Sequence, residues 1–394
     1  MKRILFAVPL SVATLLHGCT RPTTTTATVA PPTSAPTASL STAAATVAPA
    51  SAAGMLPQRL GDAEYWKLVT DLSEPGGYFR IEDNYTSNEM EVGQLYTMLR
   101  TNSVSGDVYM GVGPEQNFTY MASVKPKMAF IVDIRRQAVM QHLMFKAIFE
   151  MAKDRGEFVS MLFAKPRPAG IDASTTIQNV WELYRTVQSD SALAAKNYDR
   201  IVDRLTKRHG FTFTPDETAQ LRSVFNAFYY YGPSISTRGS QGGRGGYGGD
   251  FSDLTGFSND ASGQPRSFLS SEENYQTIKT LHEKNLIVPV SGDFAGPKTI
   301  RAIGAYLKER NAVVRAFYVS NVEQYLFQDG KDRAFYANVA ELPVDSGSVF
   351  IRPYSMRRSS WGGPTQSLCP IGVFLRAVDG GRVVNNDGAL SCGP

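Results

Sequence analysis

The chain has 394 residues and a formal charge of only +4, with 40 lysines and arginines against 36 aspartates and glutamates. This mild balance gives no reason to expect an anionic polymer as a partner, so we expect no binding to nucleic acid. The body that follows an N-terminal targeting segment, residues 55–394, is long enough for one large domain or two modest ones.

The first residues have the features of a sorting signal. Lys2 and Arg3 precede an apolar run that is shorter than the about 20 residues needed to span a bilayer. The run ends in a Leu-His-Gly-Cys sequence that resembles the bacterial lipobox. That resemblance implies that residues 1–18 are a signal peptide and that Cys19 carries acyl chains that hold the chain at a membrane. The alternative is an ordinary cleaved signal followed by an unrelated cysteine.

Residues 19–54 are nearly all Thr, Ala, Pro, Ser and Val, with a single charge and no aromatic side chain. Such a segment cannot bury enough apolar surface to offset its ordering entropy, so we predict a disordered, semi-extended linker. Thr20, directly after Cys19, indicates sorting to the outer membrane if the cell is Gram-negative. The expected location is therefore the cell envelope.

Strands and helices alternate at the start of the body. A helix is predicted over residues 63–72, and another ends near Arg100. Short apolar runs and amphipathic stretches then follow one another in a βαβα order, which is typical of a parallel sheet. These elements are a strand at 107–111, a helix at 115–124, a strand at 128–134 and a helix at 137–153.

Residues 158–231 have a helical period throughout and predict an insertion of three or four helices. A glycine-rich loop, residues 238–250, follows. The α/β alternation then resumes with strands predicted at 286–293, 313–319 and 348–352.

The last segment, residues 354–394, carries the two cysteines that remain once Cys19 is acylated. An even pair in an exported chain predicts one disulfide, Cys369 to Cys392, although two free thiols are the alternative. A β-hairpin is predicted between them, over residues 372–384.

A turn that could hold a nucleotide follows the strand at 107–111. Gly111 and Gly113 would let a ligand approach the backbone, and Asp133 at the end of the next strand would accept hydrogen bonds from ribose hydroxyls. A tight strand-to-helix turn with an exposed acid is the alternative.

Three residues of this turn depart from the dinucleotide-binding pattern. Gln116 occupies the third glycine position, Pro114 lacks a backbone N–H, and Glu115 adds a negative charge at the start of a helix. A pyrophosphate needs donors and positive potential there, so the pattern disfavours NAD and FAD. S-adenosylmethionine, which has a cationic centre and no phosphate, remains a possible cofactor.

Several segments resemble an uncharacterised bacterial family with a class I methyltransferase-like Rossmann fold. The resemblance covers about residues 75–353 and is carried by five blocks. These are Asn84 with Ser87-Asn88-Glu89, Gly111 to Tyr120, Phe130 to Gln137, Gly292 to Pro297, and Phe317 to Leu326. It implies a fold and a pocket, and it implies no particular reaction.

The sequence therefore predicts an α/β body with a Rossmann-like, mostly parallel sheet, the helical insertion and a C-terminal β-hairpin extension. On that fold the predicted ligand-binding residues lie at the carboxyl ends of parallel strands or on the helix that precedes the sheet. They are Gly111, Gly113, Asp133, Asp293, Asn321, Asn88 and Glu89. For Asn88, Glu89 and Asn321 a role at a helix start is the alternative.

Other chemistries find little support. The body has three histidines, no Gly-x-Ser-x-Gly, no His-Glu-x-x-His and no cysteine pair at metal spacing, so no metal site is predicted. The prediction is a membrane-anchored lipoprotein whose methyltransferase-like domain binds an adenosyl-type ligand. S-adenosylmethionine is cytosolic whereas Cys19 predicts export, so enzymatic activity stays open. The alternative is a non-catalytic periplasmic or surface binding module on a reused methyltransferase fold.

Overall fold

The computed structural model describes residues 54–80, 84–89, 92–102, 104–236, 249–355 and 365–392. The predicted signal peptide, Cys19 and almost all of the predicted linker lie outside the described residues, as does most of the predicted glycine-rich loop. The fold below is therefore that of the body.

Six strands form one sheet in the order β3-β2-β1-β4-β5-β6. The pairs from β3 through β5 are parallel, and β6 is antiparallel to β5. The strands are β1 Val108–Gly111, β2 Met128–Asp133, β3 Ile287–Ser291, β4 Val314–Tyr318, β5 Val349–Ser355 and β6 Thr365–Pro370. Every residue of β1, β2 and β3 is buried, as expected of parallel strands covered on both faces. The prediction of an α/β fold with a mostly parallel sheet is confirmed.

Fifteen α-helices surround the sheet among the described residues. They are α1 Asp62–Asp71, α2 Val92–Thr101, α3 Gln116–Val124, α4 Arg136–Met151, α5 Arg155–Phe163, α6 Ile177–Arg185, α7 Ser191–Asp203, α8 Pro215–Tyr231, α9 Phe251–Gly256, α10 Glu272–Glu283, α11 Thr299–Lys308, α12 Val322–Gln328, α13 Asp332–Ala340, α14 Ile371–Asp379 and α15 Asn386–Leu390. Two short helices of other types add Arg204–Arg208 and Gly232–Ser234. Within this part of the chain, no helix combines the length and the apolar character needed to cross a membrane.

Helix α4 connects the sheet to the layer formed by α5 to α8. It is buried over most of its surface, because it contacts β3 on one side and α8 on another. Phe145 and Phe149 of α4 pack edge-to-face against Phe118 of α3, which places aromatic rings at the centre of the core. Helix α8 begins at a capping box in which Thr214 and Glu217 satisfy each other's backbone N–H groups.

The tail differs from the predicted β-hairpin. Residues 371–379 form helix α14, and the antiparallel pairing belongs to β5 and β6. Ile371, Phe374 and Val378 are buried at a helical spacing, which shows that packing of one helix face outweighs the local strand preference of this valine- and phenylalanine-containing run. The disulfide prediction is confirmed, since Cys369 in β6 is bonded to Cys392 after α15, with their Cα atoms 5.7 Å apart.

Candidate functional site

A cavity of about 240 Å³ lies at the carboxyl ends of β1 to β4. The chain leaves β1 towards β2 on one side and returns to β4 on the other, and ligands of open α/β sheets bind where strand order reverses in this way. The loops after the four strands supply the following wall residues: Val112, Gly113, Pro114, Asp133, Ile134, Arg135, Gly292, Asp293, Phe294, Ser320, Asn321 and Val322. Two larger concavities, of about 400 and 580 Å³, lie away from this edge.

Five of the seven predicted ligand-binding residues line this cavity. They are Gly113, Asp133, Asp293, Asn321 and Asn88. The fold therefore brings together predicted residues that are far apart in the chain, because strand ends meet at one edge of a parallel sheet.

Gly111 has a packing role instead of a place in the cavity wall. A Cβ atom on Gly111 would lie 1.9 Å from Oδ1 of Asn117 and 2.9 Å from the hydroxyl of Tyr109. These two buried side chains are hydrogen-bonded to each other, with 2.8 Å between the hydroxyl and Oδ1. Glycine is needed here because a side chain would displace this pair.

Hydrogen bonds from the core side hold the turn after β1 in place. The Asn117 amide donates to the carbonyls of Val112, Gly113 and Pro114 at 2.9, 3.2 and 2.7 Å. Nε2 of His142 lies 2.9 Å from the same Gly113 carbonyl. Burial lowers the pKa of His142 to about 4, so the ring is neutral and must donate through Nε2. His142 thus supports the turn from the core and does not face the cavity.

Gly113 itself has a positive φ of 75° and open space where its Cβ would be. The left-handed conformation favours glycine at this position. Because Gly113 lines the cavity, a side chain here would take up space that a ligand could use.

Asp133 is nearly buried and forms a bidentate ion pair with Arg135. Oδ1 accepts from the Arg135 backbone N–H at 2.9 Å and from Nε at 3.1 Å, while Oδ2 accepts from Nη2 at 3.0 Å. The carboxylate is therefore engaged, which the sequence prediction did not include. A carboxylate oxygen accepts about two hydrogen bonds, so Oδ2 can still accept one from a ligand.

A carboxylate from another segment of the chain, that of Glu74, binds the turn after β3. The carboxylate of Glu74 accepts from the backbone N–H groups of Asp293, Lys298 and Thr299 at 3.2, 2.9 and 3.0 Å. It therefore occupies the start of α11, where a phosphate would otherwise be favoured. Asp293 accepts from the Ala295 N–H at 2.9 Å and lies 3.3 Å from Nζ of Lys331.

A buried polar network lies below the cavity. Glu89 is 1 % exposed and accepts from Nε2 of Gln116 at 2.6 Å and from Oγ of Ser320 at 2.8 Å. Gln116 also donates to the Tyr318 hydroxyl at 2.7 Å. Gln116, Tyr318 and Ser320 all line the cavity, so they link the buried Glu89 to it.

Ser320 follows β4 with a φ of 46°, which is unusual for a residue other than glycine. Such strain persists where the surroundings enforce it, and it is common at binding sites. Here it accompanies the hydrogen bond from the Ser320 hydroxyl to Glu89, so the strained residue joins the network to the cavity wall.

Glu115, between the turn and α3, is 1 % exposed. One carboxylate oxygen accepts from the Ser87 N–H at 3.2 Å, and the other has no hydrogen-bond partner among the described residues. Burial raises the pKa of Glu115 to about 7. Glu115 is therefore a buried carboxyl group close to its protonation midpoint at neutral pH, in contrast to the exposed acid of the alternative interpretation of this turn.

Two amides in the wall are half-exposed. Asn321 precedes α12 and does not cap it through its side chain, so its alternative helix-start role has no hydrogen-bond support. Residues 90 and 91, between Asn88 and α2, lie outside the described residues, so the same alternative stays open for Asn88 and Glu89. Both side chains remain available to a ligand in the cavity.

Sequence reasoning missed Arg135, Tyr318 and Ser320 as parts of the site. The signal for Arg135 was present, since residues i and i+2 of an extended segment point to the same side. The signal for Tyr318 and Ser320 was their place at the end of a predicted buried strand. Phe79, which packs edge-to-face against Tyr325 in the wall at 5.1 Å, carried no local signal, whereas Tyr325 lies in the Phe317 to Leu326 block of the resemblance.

The chemistry of the site is that of binding through amides, aromatic rings and paired charges. Across the described residues, no group of three or more His, Cys, Asp or Glu side chains is arranged to hold a metal ion.

Fold and site together define an α/β protein with a pocket at the switch point of a mostly parallel sheet. Residues 85–226 and 255–371 match a family described as a domain of unknown function, DUF7790. The match spans more than half of the chain, so the protein belongs to this uncharacterised family. No curated protein matches the sequence.

Proposed function

We propose that this protein is a methyltransferase-like, Rossmann-like domain that binds a small adenosyl-type ligand, such as S-adenosylmethionine or its demethylated product, at the cell envelope. The observation that carries the proposal is the convergence of Gly113, Asp133, Asp293 and Asn321 on one cavity at the switch point. Strand order 3-2-1-4-5 is the order in which doubly wound sheets bind dinucleotides and related ligands at this edge.

The charges around the cavity favour a ligand without phosphate. Glu74 already accepts the N–H groups at the start of α11, and Pro114 has no N–H to offer on the turn after β1. Three aspartates, Asp133, Asp293 and Asp329, line the cavity against two cations, Arg135 and Lys331, and this excess of acids favours a sulfonium or amino group. A ribose hydroxyl could donate to Oδ2 of Asp133. Phe79 and Tyr325 offer apolar surface for a purine ring.

The envelope location rests on the sequence alone. The proposal is that Cys19 is acylated and anchors the chain, with residues 19–54 as the linker to the body. Two or three acyl chains hold a protein at a membrane where one chain binds only marginally.

A non-catalytic binding module is the second candidate. The bidentate Asp133–Arg135 pair favours it, because the carboxylate that would bind ribose is already neutralised by a buried guanidinium and has few acceptor positions left. On this alternative the pocket holds another ligand and no methyl group is transferred.

Calorimetry on residues 55–394 with S-adenosylmethionine and with S-adenosylhomocysteine tests the proposal. Asp133→Asn keeps the shape and one acceptor oxygen but loses the charge. It should weaken binding by about ten- to a hundredfold, since a hydrogen bond to a charged group is worth about 1.5–3 kcal/mol.

Gly113→Val provides a second test with a matched control. It should abolish binding because the side chain enters the cavity. Gly106→Val carries the same backbone strain, since Gly106 has a φ of 73° and open space around it, but it lies before β1 and away from the cavity. Binding should survive in that control. An absence of heat from the wild type at millimolar concentrations of both ligands would leave only the binding-module candidate.

A further inference from the structure

A second cavity, of about 400 Å³, lies in the helical layer and is separate from the pocket at the sheet edge. Its walls come from Lys165, from the second half of α6 and the residues just after it, and from residues 229–234 and Ser252. The volume falls within the range of small-molecule sites, roughly 300–1,000 Å³. We call this cavity, lined by Lys165, Trp181, Arg185, Tyr229 and their neighbours, the helical cleft.

Lys165 is the unusual member of the helical cleft. The residue is 9 % exposed, yet it forms no ion pair with any carboxylate in the described part of the chain. Nζ donates to the carbonyl of Val187, just beyond the end of α6. Burial lowers the pKa of this ammonium. A nearly buried lysine without a paired acid is uncommon in folded proteins.

The simplest structural role for Lys165 is to cap the C-terminus of α6. That contact satisfies one of the three N–H donors of the ammonium, and a helix end supplies only about half an elementary charge. Most of the positive charge on Lys165 is therefore not compensated by this contact, and two N–H donors are left for a ligand.

The other charged residue in the wall of the helical cleft is also positive. Arg185 adds a second cation, which pairs with Glu182 on the exposed surface. No aspartate or glutamate is among the described residues that line the cavity. Two acids that are adjacent in sequence to wall residues are engaged elsewhere, since Asp190 caps α7 by accepting from the Leu193 N–H and Asp253 accepts from the Asp250 N–H. The indole N–H of Trp181, which is 5 % exposed, has no acceptor among the described residues.

The remaining wall residues are neutral and polar or aromatic. Gln188, Ser189 and Ser234 offer amide and hydroxyl groups, and Tyr229 and Tyr231 offer rings with polar tips. A ligand with one negative charge and several hydroxyls fits such a wall, because each hydroxyl can find a partner and the aromatic rings can cover its C–H faces.

We infer that the helical cleft is a second binding site, for an acidic sugar whose carboxylate or phosphate pairs with Lys165. This inference does not depend on the adenosyl pocket. Residues 229–234 and Ser252 lie outside the segments that match DUF7790, whereas Lys165, Trp181 and Arg185 lie within them.

Calorimetry on the purified full-length chain in mild detergent tests the inference, with glucuronate, glucose 6-phosphate, glucose and inorganic phosphate as probes. At least one acidic sugar should bind, and glucose should bind far more weakly. Lys165→Met should weaken binding by about ten- to a hundredfold, as expected for a buried charge-assisted hydrogen bond. Lys165→Arg should retain most of the affinity, and Lys196→Met, an exposed lysine on α7, should have none of the effect.

Several outcomes would overturn the inference. One is that neither acidic sugar binds at millimolar concentration, and another is that Lys165→Met binds as well as the wild type. If inorganic phosphate binds as tightly as glucose 6-phosphate, the cleft accepts any anion and the sugar assignment is wrong. Should Lys165→Met fail to fold by circular dichroism, Arg185→Gln at the exposed rim takes its place. It should weaken binding severalfold, and unchanged affinity there would contradict the inference.

Discussion

Glu115 makes the stability of this protein depend on pH in a way that a single substitution can isolate. Its carboxyl group is buried, and burial raises its pKa from 4.5 to about 7. A difference of that size corresponds to about 3 kcal/mol between the two protonation states. The stabilisation linked to protonated Glu115 is fully present below about pH 4.5 and is lost as the pH rises through about 7.

Glu115→Gln keeps the size of the side chain and an oxygen that can accept from the Ser87 N–H. The variant cannot ionise, so it avoids the cost of a buried charge at high pH. We expect it to be more stable than the wild type at pH 8.5 by up to about 3 kcal/mol and to have nearly equal stability at pH 5. Urea unfolding at both pH values measures this, and the wild-type-to-variant comparison removes the contribution of all other titrating groups. An equal stability difference at pH 5 and pH 8.5 would refute the reasoning.

Three further predictions concern a buried ion pair, the disulfide and the anchor. Arg352 in β5 and Glu323 in α12 form a buried ion pair, so Arg352→Met should lower the free energy of unfolding in urea by about 3–5 kcal/mol because Glu323 is left buried without its cation. The double variant Glu323→Leu/Arg352→Met should recover most of this loss. Reducing the bond between Cys369 and Cys392 should lower stability by about 3–4 kcal/mol, and an unchanged urea midpoint would contradict this. Radioactive palmitate should label the wild type in cells but not Cys19→Ala, and equal labelling would rule out the anchor.

The strands were predictable because buried parallel strands are short, continuous apolar runs with turn residues at their ends. The strand predicted at 128–134 is β2 at Met128–Asp133, and the one predicted at 313–319 is β4 at Val314–Tyr318. The tail was not predictable in the same way. A run of Val, Phe and Leu at 373–375 fits a strand locally, and only packing of Phe374 against Phe350 and Tyr336 makes it a helix.

The candidate site was predictable to the extent that it depends on strand ends. Gly113, Asp133 and Asn321 meet because parallel strands end at one edge. The contacts between distant segments were not predictable. Glu74 meets the start of α11 across more than 200 residues, and Glu89 meets Ser320 across 231. Neither contact has a local sequence signal, because each depends on how the segments before β1 pack on the finished sheet.

The two cavities favour ligands of different charge, and this separates the two proposals experimentally. Three aspartates and two cations line the pocket at the sheet edge, whereas the described residues of the helical cleft include Lys165 and Arg185 and no acid. An adenosyl ligand with a cationic centre should therefore bind unchanged to Lys165→Met, and an acidic sugar should bind unchanged to Gly113→Val. Each variant serves as the control for the other site. If one variant abolished the binding of both ligands, the cause would be loss of the shared core around α4. That variant could then not assign a ligand to either cavity.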